Sequence, residues 1–118
     1  IDPDYKKDSL IRVLPREREL AFSALYFADD REAMAHPYGS PSYAPDEMLA
    51  KLPRTLVITA GSCNFRFEDE EYAQRVAHAG VEVVVKRFPE MFHGFIPHLM
   101  GQWKKAADLI VRTVRVEA

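Results

Sequence analysis

The sequence predicts an α/β protein built around two parallel strands with a helix between them. Residues 55–60 form a short β-rich run without polar alternation, as a strand buried on both faces should. Residues 81–88 are again almost continuously β-branched, and the run stops at Pro89. Between the two runs, residues 68–79 begin with acidic side chains and then show an amphipathic helical pattern. This order is that of a βαβ unit, for which a right-handed crossover is expected.

Each helix of the predicted fold carries its own apolar stripe. The middle helix should end at Gly80. Further helices are predicted at 16–28 and 98–116, and the proline-rich stretch 29–53 is predicted to be a connector with a helical turn at 45–50. The stripe residues are Leu20, Ala21, Ala24, Leu25 and Ala28 in the first helix, Tyr72, Ala73, Val76 and Ala77 in the middle one, and Trp103, Ala106, Ala107, Ile110, Val111 and Val114 in the last.

Two strands that are apolar on both faces need more neighbours than this chain provides. Parallel strands of this kind are covered by helices and flanked by further strands. We therefore expect either that the rest of the sheet lies outside the chain or that copies of the chain associate. The aromatic residues Phe22, Tyr26 and Phe27 fit such packing or an interface better than a cofactor site.

Composition excludes several other classes of protein. The 118 residues carry sixteen basic and eighteen acidic side chains, and the basic ones are scattered, which argues against nucleic acid as a partner. No apolar run approaches the roughly 20 residues that span a bilayer. Cys63 is the single cysteine, so no internal disulfide can form, and no signal peptide is recognisable at the start. A cytoplasmic location is the default expectation.

His93 is the candidate functional residue that the fold itself singles out. It lies in FPEMFHGF, residues 88–95, on the loop after the second predicted strand, where open α/β sheets place their reactive groups. Gly94 follows it and allows a tight turn. A histidine among aromatics is more often a packed or surface residue, so the residue type alone does not establish catalysis.

Several motifs resemble the C-terminal part of the hormone-sensitive-lipase-like branch of the α/β-hydrolases, a family with many esterases. They are PYGSP at 37–41, LPRTLVITAG at 52–61, EEYAQRV at 70–76 before AGV, and FPEMFHGF at 88–95. The resemblance implies that His93 is the general base of a Ser-His-Asp triad, which takes the serine proton during attack on an ester and returns it to the leaving alcohol. It implies a small-molecule ester as substrate and neither cofactor nor metal.

The sequence departs from the family pattern in the nucleophile. No Gly-x-Ser-x-Gly elbow is present, since Ser40, Ser42 and Ser62 lack that frame, and the glycine-rich oxyanion stretch is also missing. We therefore predict that residues 1–118 are one C-terminal fragment, with a helix and connector at 1–50 and a βαβα unit at 51–118. The start at Ile1 agrees with this interpretation. The isolated chain is expected to be inactive and to associate with itself or with a missing N-terminal portion.

The second departure concerns the acid of the triad. Aligned with the family pattern GxDxLRDE, GSCNFRFEDE places Cys63 where the aspartate belongs. If the loop keeps its shape, the Cys63 thiol should lie close to His93. Glu68 or Asp69 would have to reach back from the helix start to replace the acid, and both are better explained by the helix N-terminus. Alternative functions are a non-catalytic pseudoenzyme, a binding or scaffolding domain, or, less supported, a flavodoxin-like domain.

Overall fold

The protein is described by a computed structural model that covers residues 16–116. The predicted helix at 16–28, the helical turn at 45–50 and the strand at 55–60 are confirmed. Residues 1–15 of the predicted segment 1–50, and the last two residues of the segment 51–118, lie outside the described part. The elements are α1 (Arg16–Phe27), α2 (Arg31–Ala35), a 3₁₀ turn (Pro41–Tyr43), α3 (Asp46–Leu49), β1 (Thr55–Ala60), α4 (Arg66–His78), β2 (Val83–Phe88) and α5 (Trp103–Val116).

The two strands pair in parallel, as the βαβ pattern predicts. Thr55 faces Val83 at one end of the ladder, and Ala60 faces Phe88 at the other. Helix α4 connects the strands and contacts both of them. Because the strands are equally long and in register, the loops that follow them leave the sheet at the same edge.

Helix α4 ends as its sequence predicts, and its ending sets where β2 begins. Gly80 has φ +95, and the amides of Gly80 and Val81 donate to the carbonyls of Ala77 and Val76, which is a Schellman ending. The sequence predicts that the second strand begins at 81. Because Val81 takes part in this turn, the strand begins at Val83 instead. Val76 is fully buried as predicted, whereas Ala77 is exposed, which corrects its assignment to the buried stripe.

Two further differences from the predicted elements have local causes. Helix α5 begins at Trp103 and not at 98, because Leu99 (φ 55) and Gly101 (φ 53) adopt left-handed backbone conformations that a right-handed helix excludes. The connector contains the short helix α2, which the sequence analysis missed. The Asp30 side chain accepts a hydrogen bond from the Ala33 amide and so caps that helix at its start.

The buried residues form two clusters. One lies at the carboxyl end of the strands and is built from Ala60, Cys63, Phe88, Phe95 and Ala106, with Trp103 packed against it. The other is built from Ala44, Leu49 and Val76, and it joins the connector to α4. The first cluster supports the loops that carry the candidate site.

Much of the predicted apolar surface is not covered. Strand β2 is apolar on both faces, and its consecutive residues Val84 and Val85, which point to opposite faces, are 43% and 45% exposed. Only two strands are present in residues 16–116, so β2 lacks the neighbours that would cover both faces, as the sequence predicts. Large apolar side chains of α1 and α5 are also exposed, at Leu20, Phe22, Leu25, Tyr26, Ile110, Val111 and Val114. Within residues 16–116 no helix has the length and apolar character needed to cross a bilayer.

Candidate active site

The loops after the two strands are joined by backbone hydrogen bonds at the edge of the sheet. The Gly61 amide donates to the Phe88 carbonyl at 2.9 Å, and the Ser62 amide donates to the Met91 carbonyl at 3.0 Å. A Cβ atom on residue 61 would lie 2.0 Å from the Pro89 carbonyl oxygen, so this approach requires glycine. The two loops are therefore held in a fixed relation to each other.

Cys63 lies on the turn that leads from β1 into α4. Its amide donates to the Ala60 carbonyl at 3.0 Å, and its own carbonyl accepts from the Arg66 amide at 3.2 Å, where the helix begins. The residue is only 7% exposed and belongs to the cluster at the carboxyl end of the strands. Packing therefore determines where the thiol lies.

His93 lies on the loop after β2, directly before a glycine in a left-handed conformation and a buried aromatic residue. Gly94 has φ +76, which confirms the tight turn that the sequence predicts. Phe95 is 4% exposed and packs 5.3 Å from Phe88, centroid to centroid, so the loop is anchored on the core immediately after the histidine. His93 itself is exposed to solvent.

The Cys63 thiol and the His93 imidazole are in contact. Cys63 Sγ lies 3.4 Å from His93 Nδ1, which confirms the expected proximity of the two side chains. The Phe65 ring lies 6.0 Å from the imidazole, centroid to centroid, and flanks the pair. With Nδ1 directed at sulfur, the remaining ring nitrogen, Nε2, is the one available to a third group.

A charged cluster beside this pair fixes α4 against both strands. Glu70 Oε1 accepts from the Thr59 hydroxyl at 2.9 Å and from Arg87 Nε at 2.8 Å, and Glu70 Oε2 accepts from Arg87 Nη2 at 2.6 Å. The hydrogen bond from Arg87 is the main cause that holds the pKa of Glu70 below its ordinary value, with a smaller contribution from the Thr59 hydroxyl. These contacts hold α4, which follows the Cys63 turn, against both strands.

A cavity of about 240 Å³ opens beside the cysteine and histidine side chains. Its wall is mostly apolar. Asp69, in the first turn of α4, also lines it, so a residue that the sequence analysis assigned to the helix N-terminus faces the candidate site. Within residues 16–116 no cluster of three potential metal ligands occurs. The lining residues are Ile58, Ala60, Cys63, Asp69, His93, Gly94, Phe95, Ile96 and Pro97.

The structure brings together both residues that the sequence singled out, and it adds others that the sequence analysis missed. Glu70 and Arg87 were not recognised because their pairing joins a helix to a strand across seventeen positions of sequence. Asp69 was considered but not placed at the cavity. Its helical position alone does not show that it faces the cavity, because this depends on how α4 packs against the strands.

Comparison with known proteins assigns the class of protein. A family model described as alpha/beta hydrolase fold matches residues 2–97. The chain therefore belongs to the α/β-hydrolase fold family, in its hormone-sensitive-lipase-like branch. The two-stranded sheet with its flanking helices is part of that fold.

Individual relatives are esterases. The chain is 32% identical over 74 residues to neutral cholesterol ester hydrolase 1 of Bos taurus, an alignment that covers 63% of this chain and 18% of the relative. An esterase from Rhizomucor miehei superposes with a TM-score of 0.79 at 31% identity, with 88% of this chain and 33% of that chain covered. An esterase from Pyrobaculum calidifontis gives a TM-score of 0.80 at 30% identity, with 89% and 34% covered. The chain thus spans about a third of the length of these solved esterases.

Proposed function

We propose that this chain forms the part of a carboxylic-ester hydrolase that supplies the general base, His93. The observation that carries the proposal is the contact of 3.4 Å between Cys63 Sγ and His93 Nδ1. It lies at the carboxyl edge of two parallel strands, where the fold family places its reactive groups. The esterase activity named for the relatives supports an ester as substrate.

In this proposal, each nitrogen of the His93 ring has a distinct task. Nδ1 carries a proton toward the Cys63 sulfur, and this tautomer leaves the lone pair of Nε2 free to accept a proton. Nε2 takes the hydroxyl proton as a serine attacks the ester carbonyl, and it returns the proton to the departing alcohol oxygen. The serine and the oxyanion donors come from protein outside these 118 residues, because the sequence contains no Gly-x-Ser-x-Gly elbow.

Cys63 is a weaker partner for the imidazole than a carboxylate. A thiol accepts the Nδ1 proton poorly, and a thiolate can take that proton and become neutral, so neither form holds the tautomer or stabilises the imidazolium as an aspartate does. We therefore propose low esterase activity. The same substitution favours a second candidate, a pseudoenzyme in which the fold is retained for binding while hydrolysis is lost.

A graft into a solved relative distinguishes the two candidates. The Pyrobaculum calidifontis esterase is described as hyperthermophilic, so it is a stable host in which this chain replaces the matching third. Hydrolysis of an aryl acetate is measured for the graft, for His93→Ala and for His78→Ala, a control on an exposed histidine at the end of α4. We expect His93→Ala to lower kcat/KM by on the order of 10³-fold or more.

The control variant should retain the activity of the graft. Equal activity in the graft and in His93→Ala would show that this histidine is not the base. A folded graft with no activity that gains none from a carboxylate at position 63 would favour the pseudoenzyme.

A further inference from the structure

The cavity beside Cys63 and His93 combines an apolar wall with a single acidic group. Ile58, Phe95 and Ile96 supply much of the wall. Among the described residues that line the cavity, Asp69 carries the only carboxylate. A carboxylate at the wall of a cavity interacts electrostatically with any charged group that enters it.

The surroundings of Asp69 partly oppose ionisation of its carboxyl group, and the exposed surface of the residue limits this effect. Partial burial raises the pKa of Asp69, and the charges of Glu68 and Glu70 raise it further, although the residue keeps an exposed surface. The neighbouring charge of Glu70 is engaged with Arg87 on the strand side of the helix. Asp69 is therefore the acidic group whose field acts directly on the cavity.

We propose that Asp69 is a specificity-determining residue, which makes the cavity accept neutral or cationic groups and disfavour groups that bear a carboxylate or sulfonate. A negative charge at the wall repels an anion and attracts a cation at the same distance, so the preference concerns charge and not size. If the ligand is an ester substrate, the inference also depends on the proposed function. The preference itself is a property of the cavity.

Cys63 allows the charge preference to be measured without hydrolysis. It lines the cavity and is the only cysteine in the sequence, so every added thiol label is assigned to it. Two small methanethiosulfonates, one with an aminoethyl group and one with a sulfonatoethyl group, are reacted with the protein at about pH 8. In each reaction the thiolate attacks the sulfenyl sulfur, a disulfide forms and methanesulfinate leaves. The ratio of the two rates cancels the thiolate fraction, since both reagents use the same thiolate.

We expect the ratio of cationic to anionic rate to fall by on the order of 3- to 10-fold in Asp69→Asn. Asp69→Glu retains the charge and should retain the ratio. Glu71→Gln is the matched control, because it removes the same charge from the same helix but lines a different cavity with Ser42 and Tyr72. In this control the ratio should change by less than about a factor of two. Circular dichroism of each variant checks that the fold is intact.

Three results would overturn the proposal. The ratio could stay at the wild-type value in Asp69→Asn, it could fall equally in Glu71→Gln, or Cys63 could react with neither reagent, which would show that the cavity admits no solute. None of these results depends on a serine nucleophile or on ester hydrolysis. Failure of the charge preference is thus separable from failure of His93 as a catalytic base.

Discussion

Cys63 Sγ lies 3.4 Å from His93 Nδ1, although thirty positions of sequence separate the two residues. The cysteine lies in the loop between β1 and α4, and the histidine lies in the loop after β2. In the family pattern that the motifs resemble, an aspartate stands at the cysteine position. Under the proposed function, this contact stands in the place of an acid–histidine pair and has a different chemistry.

Restoring a carboxylate should raise activity. In the grafted hydrolase, we expect Cys63→Asp to increase kcat by about tenfold or more, because the carboxylate holds the Nδ1 proton and stabilises the imidazolium. Cys63→Asn is the control, since it is similar in size to aspartate and carries no charge. Steady-state hydrolysis of an aryl acetate measures the effect. Equal kcat values for the aspartate and asparagine variants would argue against the assigned role of position 63.

The contact with His93 should change the reactivity of Cys63 with pH. An imidazolium beside a thiol favours the thiolate, so the rate of alkylation should rise at lower pH in wild type than in His93→Ala. The measurement follows iodoacetamide labelling by mass spectrometry from about pH 5 to 10. His78→Ala serves as the control. If the alkylation rates of wild type and His93→Ala rise together near the ordinary thiol pKa of about 8.5, the two side chains are not coupled.

The approach of the two loops should make Gly61 far less tolerant of a side chain than Gly80. Gly61→Ala places Cβ 2.0 Å from the Pro89 carbonyl oxygen, and the backbone shift that relieves the clash should cost about 2–3 kcal/mol of unfolding free energy. A Cβ atom added at Gly80 would have no atom within 4 Å apart from its own neighbours in the chain and helix. Gly80→Ala should therefore lose only about 1 kcal/mol, the cost of placing alanine at φ +95. Urea unfolding measures both. Equal losses would mean that the loops do not meet as described.

The ion pair between Glu70 and Arg87 should give a pH-dependent contribution to stability. Because the folded-state pKa of Glu70 is lowered, this contribution is present above the unfolded-state pKa of about 4.3, and it is lost as pH falls through the folded-state pKa. Glu70→Gln should therefore lower the unfolding free energy by about 1–2 kcal/mol at neutral pH, the low end reflecting the 47% exposed Arg87 side chain.

Acid unfolding provides the comparison for this variant. The difference in unfolding free energy between wild type and Glu70→Gln, measured by urea titration, should become smaller as the pH is lowered. Glu71→Gln, on the exposed side of the same helix, should show no comparable loss at neutral pH. A pH-independent difference for Glu70→Gln would indicate that packing, and not charge, accounts for its effect.

The isolated chain should not hydrolyse esters catalytically. A general base accelerates attack only when a nucleophile is positioned beside it, and the sequence contains no serine elbow. The rates at which wild type and His93→Ala hydrolyse p-nitrophenyl acetate should both stay at the background rate expected of exposed imidazole groups. Saturable hydrolysis that disappears in His93→Ala would contradict the assignment of the nucleophile to another part of the hydrolase.

The sequence by itself determined the strand–helix–strand unit, because short-range patterns record it directly. The β-branched run of β1 and the glycine that ends α4 are properties of neighbouring residues. The motif around His93 likewise indicated the family before any distance was measured. Boundaries such as the start of α5 were less accurate, since they depend on left-handed backbone angles at Leu99 and Gly101 that composition does not reveal.

Only the tertiary structure decided which side chains meet. The close approach of Gly61 to Pro89 brings together loops that are distant in sequence, and no local pattern encodes that distance. No local pattern shows that Asp69 lines the cavity either. Its sequence position fits a role at the helix N-terminus, and only the packing of α4 against the strands places it at the cavity. Burial was also a tertiary matter. An apolar stripe records where a helix or strand can be covered, whereas actual cover requires a neighbouring element. Within residues 16–116, β2 has too few neighbours, so Val84 and Val85 stay exposed on its two opposite faces.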